Sequence, residues 1–192
     1  MKIVIANVGA GLWIVLAAIV ILLILIISMY NKFVKMRNSV EEAYSTMDVY
    51  LKKRYDLIPN LVETVKGYAS HEKETLENVI NARNRVQNAA TVEDKIAGEN
   101  QLGGSIKNLF ALAESYPELK ANENFLNLQD QVNGTEEDIA NARKYYNALV
   151  KQLNTKCEMF PWNIVASVFG FKRQPLYEVD NAEERQNVKV QF

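Results

Sequence analysis

The sequence predicts an all-α protein: an N-terminal transmembrane helix that continues into an elongated antiparallel bundle of two long and two short helices. Three observations carry this expectation. Residues 3–31 hold no charged side chain, and within them "LWIVLAAIVILLILIISMY" is almost purely apolar. Beyond that run, apolar residues recur in alternating steps of three and four, the period of a helix face. Eight glycines and four prolines in 192 residues are too few for a turn-rich β fold.

The apolar run is the first element. At about 1.5 Å per residue, roughly 20 residues cross a hydrocarbon layer of about 30 Å. Trp13 and Tyr30 stand near its ends, where lipid headgroups would lie. The run is longer than the apolar core of a signal peptide, and no small-residue cleavage site follows it, so a retained anchor over residues 1–30 is expected. Lys32, Lys35, Arg37, Lys52, Lys53 and Arg54 follow the span, whereas only Lys2 and the amino terminus precede it. The positive-inside bias then puts the N-terminus outside and the C-terminal domain in the cytoplasm.

Residues 31–160 are expected to form the bundle. A seam of Phe33, Met36, Val40, Ala43, Met47, Tyr50, Arg54, Leu57, Leu61, Val65 and Tyr68 keeps its frame through Pro59 until a late slip. A turn at Pro59 would have no reason to preserve that frame, so one kinked but unbroken helix is predicted to about Ala69. Pro59 brings no N–H, which leaves the Tyr55 carbonyl in need of another partner. Ser70 is the expected N-cap of a second helix reaching about Ala90, with Glu72 and Glu74 in its first turn.

"TVED" at Thr91 is a capping box that opens a third helix, which stops before Tyr116-Pro117. The fourth starts near Asn122 and keeps a seam from Phe125 through Val132, Ile139, Tyr146 and Leu153 to Phe160, crossing Gly134 in frame. Residues 161–173 are expected as an interfacial helix, with Pro161 in its first turn and Gly170 at its end. Residues 174–192 are expected as an extended tail that docks.

Helix lengths then suggest where the ends go. The outer helices run for about 55 Å beyond the lipid and the inner ones for about 30 Å. Short connections make neighbours antiparallel, so the fourth helix returns to the lipid surface. There Trp162, Ile164, Val165, Val168, Phe169 and Phe171 stand beside Lys172 and Arg173, a mixture suited to the headgroup boundary. Tyr44, Val49, Tyr145 and Val150 lie off the seam where only two helices run, and are the candidate contacts of a homo-oligomer. A register in which paired numbers add to roughly 193 sets Pro59 opposite Gly134 and lets Arg54 meet Asp138.

No chemistry-bearing constellation stands out. His71 precedes Glu72, but Thr75 occupies the place where a zinc HExxH motif needs its second histidine. Cys157 is the sole cysteine, so no disulfide can form within the chain, and its seam position suits a packed thiol. "GGS" at residues 103–105 lacks the lysine of a phosphate loop and suits close helix packing. A net charge of −1 and a pI near 6.0 give no reason to expect nucleic acid as partner. No enzyme activity, metal or cofactor is expected.

Three stretches carry a resemblance: "RYDLIPNLVETVKGYASHE" (residues 54–72), "YPELKANENFLNLQDQVNGTEEDIANARKYYNALVKQLN" (116–154) and "FPWNIVASVFGF" (160–171). In this order they resemble the signature motifs of the LemA family. The resemblance implies a bacterial cell-membrane protein with one N-terminal membrane helix and a helical cytoplasmic domain. It supplies no catalytic residues, and members are linked to membrane organisation. The expected function is therefore a non-enzymatic, single-pass scaffold that meets the lipid bilayer, self-associates and organises or remodels the bacterial membrane. The alternative is an adaptor that presents its distal bundle to another membrane protein such as a protease.

Overall fold

The computed structural model of the chain describes residues 2–177, with side chains described at residues 13–91 and 94–177. Six helices follow one another: α1 (Lys2–Lys66), α2 (Lys73–Gln87), α3 (Val92–Ala113), α4 (Pro117–Lys120), α5 (Glu123–Glu158) and α6 (Trp162–Phe169). Among the described residues there is no strand. The fold is all-α, as the sequence predicts. Its contacts divide into two units, one of residues 2–43 and 148–174, the other of residues 44–147 and 175–177.

α1 runs without interruption through Pro59 and α5 through Gly134. The buried residues of each include a set spaced seven apart. On α1 these are Phe33, Val40, Met47, Arg54 and Leu61; on α5 they are Phe125, Val132, Ile139, Tyr146 and Leu153. A strict seven-residue repeat keeps one seam of a helix turned toward its partner. Arg54 is the one charged member of either set.

In the first unit, the apolar side chains of residues 13–25 are exposed around α1, which there is long and apolar enough to cross a membrane. The buried part begins at Phe33, whose ring stacks on Phe171 at 4.8 Å and meets the edge of Trp162 at 5.6 Å. Trp162 and Phe171, which flank α6, are thus brought back to the foot of the apolar span. Gly170 ends α6 at φ 74°, a left-handed conformation that suits glycine, and the Phe171 N–H donates to the Ala166 carbonyl. The chain then extends, and Asn154 holds it by giving and taking one hydrogen bond with the Gln174 backbone, each 2.9 Å.

In the second unit, three cross-contacts set the register of α1 on α5. Tyr44 meets Tyr146, Arg54 pairs with Glu136, and the Tyr68 hydroxyl accepts from Asn122. Each pair of numbers adds to 190, so the helices are antiparallel here and offset by three residues from the register expected. Pro59 therefore stands level with Gln131 and not with Gly134, which lies about one turn away. The expected pairing of Pro59 with Gly134 is corrected accordingly.

The Tyr55 carbonyl that Pro59 leaves free accepts a 3.0 Å hydrogen bond from the Arg83 Nε of α2. Thr91 caps α3, its hydroxyl accepting from the Asp94 N–H at 3.0 Å. Ser70, by contrast, is no cap: the chain closes α1 in successive turns to residue 72, and Glu72 takes the N-cap position without a side-chain bond to the helix. α2 ends at Gln87, short of Ala90, and α4 is an addition to the four helices expected. Pro117 at its first position favours that extra turn, which buries Leu119 fully.

Close packing of α2 on α3 falls at Gly98, where an added methyl would lie 2.9 Å from Val86 Cγ2. Gly103 and Gly104, the expected packing glycines, face nothing within 4 Å. Beyond α6, Asn147 grips Tyr177 much as Asn154 grips Gln174: its amide donates to the Tyr177 carbonyl at 3.0 Å and accepts from its N–H at 2.8 Å. Tyr177 is 1% exposed, so the tail docks as far as it is described. Residues 178–192 of the expected tail lie outside the described residues.

Candidate membrane-interface site

The site is built by the first unit. α6 is short and apolar on both faces, and its packing divides the expected interface residues into two groups. Val165 and Ala166 are buried, and Trp162 and Phe171 turn onto Phe33. Ile164, Val168 and Phe169 face outward, at 54%, 72% and 48% exposure. Phe160, expected on the α5 seam, is 77% exposed, and Met159 is exposed as well. Sequence periodicity missed these two because the helical frame ends at Glu158, so the next side chains no longer follow the seam.

Location gives this apolar surface its meaning. Phe169 lies 4.9 Å from Tyr30 and Phe171 5.7 Å from it, ring centre to ring centre. Tyr30 ends the apolar run of α1, so the outward face of α6 stands directly beside the place where α1 would leave lipid. A short apolar helix in such a position suits the headgroup boundary. The cations around it differ in their engagement. Arg173 pairs with Glu158 at 3.0 Å, Lys156 lies 4.4 Å over the Trp162 ring, and Arg37 lies 5.7 Å over Phe171. Lys172 is exposed.

A second cluster lies in the second unit. Arg54 is 1% exposed and pairs with Glu99 of α3 and Glu136 of α5; the carboxylate expected for it, Asp138, is not the one in contact. Glu99 has no side-chain exposure, and one of its oxygens lacks a hydrogen bond. Burial, then the neighbouring Glu136, pushes its carboxyl up to about 8, with Arg143 opposing. Tyr177 closes the cluster under the Arg143 guanidinium, 4.6 Å from its ring. Burial, then Glu99, raises its phenol above the usual range. The cluster is a core network with polar atoms left over. Among the described residues, no group of three or more His, Cys, Asp or Glu side chains could hold a metal ion.

The four candidate oligomer contacts also separate. Val49 and Tyr145 are 67% and 60% exposed, whereas Val150 is fully buried and is withdrawn. Tyr44 is half-covered, since Lys95 of α3 lies 5.7 Å over its ring and Lys95 pairs with Asp48. The third helix therefore reaches a region where the sequence suggested only two.

An apolar span and a helical bundle whose last helix returns to the foot of that span define a membrane-associated helical protein. The chain belongs to the LemA family, whose profile matches residues 43–192. It is similar to "Magnetosome protein MamQ 2" of Paramagnetospirillum magneticum, 23% identical over 175 residues, covering 78% of this chain and 64% of that relative. It is also similar to "Protein LemA" of Metamycoplasma hominis, 23% identical over 158 residues, covering 80% and 70% respectively. The match thus spans just under two thirds of the magnetosome relative's length.

Proposed function

We propose that this chain is a non-enzymatic, single-pass membrane scaffold that self-associates and organises or remodels the bacterial cell membrane, with its helical domain in the cytoplasm. One observation carries the reading: the outward apolar face of α6 lies against Tyr30, at the end of the apolar span. Such a face inserts shallowly into one leaflet while α1 holds the protein in place, a combination that wedges lipid headgroups apart. Val49 and Tyr145, exposed and apolar, support association between copies. The cationic run after the span supports the cytoplasmic side. The MamQ relatives are named as magnetosome proteins, which supports a role in organising a cell structure.

The test is reconstitution of the full chain into liposomes, followed by electron microscopy and size measurement in detergent. Oligomers and deformed vesicles are expected, with deformation lost in Ile164→Asp/Val168→Asp. A monodisperse monomer that leaves vesicles unchanged overturns the scaffold and favours an adaptor that needs a second membrane protein.

A further inference from the structure

The geometry points to a socket for the headgroup of an anionic phospholipid, formed by Arg37, Lys172 and Gln174 in the first unit. The inference deepens the membrane reading of α6 and rests on it. A cavity of about 180 Å³ opens there, lined by Arg37, Leu153, Gly170, Phe171, Lys172 and Gln174. Its lining divides by chemistry. Leu153 and Phe171 form an apolar floor, while Arg37, Lys172 and Gln174 supply guanidinium, ammonium and amide donors.

The depth fits a headgroup. Arg37 lies seven residues beyond Tyr30, about 10 Å along the helix. Side chains on a helix lean toward its N-terminus, here toward the lipid, so the long arginine reaches back to the headgroup layer. The contacts agree: the Arg37 guanidinium and the Tyr30 ring each lie 5.7 Å from the centre of the same Phe171 ring.

Both cations that line the cavity keep N–H donors for an anion, Arg37 doing so while its guanidinium lies over Phe171. Arg173 is committed to Glu158 and Lys156 to the Trp162 face. Arg37 meets Glu41 at 3.8 Å through Nε, beyond hydrogen-bond length, which leaves its terminal nitrogens for a ligand. Among the described residues, Lys172 has no acidic partner. A planar guanidinium and an ammonium around one small cavity match phosphate oxygens, and a zwitterionic headgroup would bring a choline cation against them.

The experiment is native mass spectrometry of the full chain in detergent, titrated with phosphatidylglycerol or phosphatidylcholine. Preferential retention of phosphatidylglycerol is expected. It should weaken roughly fivefold for each cation removed in Arg37→Gln and Lys172→Gln, and hold in Arg173→Gln. Equal retention of the two lipids, or full retention by the Arg37→Gln/Lys172→Gln variant, overturns the socket. Carbonate extraction from vesicles separates the two levels: a chain that stays inserted but shows no lipid preference sinks the socket alone, and a chain stripped off sinks the membrane reading as well.

Discussion

The Nε of Arg83 donates to the backbone carbonyl of Tyr55 at 3.0 Å, and that carbonyl is the one Pro59 deprives of its helical partner. An arginine from α2 thus completes the hydrogen bonding of α1 where a proline interrupts it. The bond couples three residues: Arg83 matters because Pro59 is present. Replacing Arg83 with Met should cost about 1–2 kcal/mol, the range for losing a partner of a part-buried carbonyl. In a Pro59→Ala background, the restored N–H should take over and the same replacement should cost less than half as much. Equal costs in the two backgrounds, from urea unfolding, would show that the contact is incidental.

Arg54 stands among apolar residues in the buried heptad of α1 and holds carboxylates from two other helices. Arg54→Ala leaves the Glu99 carboxylate unpaired in the core and should cost about 3–5 kcal/mol at pH 9, where Glu99 is ionised, and less at neutral pH. Combined with Glu99→Ala, it should cost clearly less than the sum of the single changes. Asp138→Ala should stay within about 0.5 kcal/mol, because Asp138 is only half-buried and makes no ion pair with Arg54. A large cost at Asp138 would reinstate the pairing the sequence suggested.

Glu99 makes stability depend on pH. Its folded carboxyl titrates at about 8 against a usual 4.5, so between these values the folded state binds more protons than the unfolded one. Stability then falls as pH rises from about 4.5 to 8 and levels off above, the reverse of the usual carboxylate behaviour. Thermal unfolding from pH 5 to 9 should show that decline in the wild type. Glu99→Gln should flatten it, and an unchanged slope in that variant would assign the effect elsewhere.

The glycines of the helices should separate in kind. Gly98→Ala would press a methyl against Val86 at 2.9 Å and should destabilise by about 1–3 kcal/mol. Gly134→Ala meets nothing within 4 Å inside α5 and should stabilise by about 1 kcal/mol through helix propensity. Loss of stability at Gly134 would mean that the glycine shapes the helix after all.

These particulars mark what could be read from the chain. The continuity of α1 was legible because the apolar frame survives Pro59, and the need for a partner at Tyr55 followed from the missing N–H alone. Its identity was not legible, since Arg83 sits 28 positions away on a helix whose rotation depends on packing. The same limit applies to Glu99, 45 positions from Arg54. A register error of three residues sufficed to exchange Glu136 for Asp138. Of three glycines in α3, periodicity could not say which one meets α2. At the membrane site, composition marked the right segment, but only packing separates Val165, turned inward, from Val168, turned out.

The most direct measurement places a fluorophore on Val168→Cys, in a Cys157→Ala background, and reads its quenching by nitroxide lipids in vesicles. Strong quenching by labels near the headgroup and upper acyl chain is expected if the last helix lies in the bilayer surface. A probe that stays fully exposed to aqueous quenchers and indifferent to the lipid labels would contradict it.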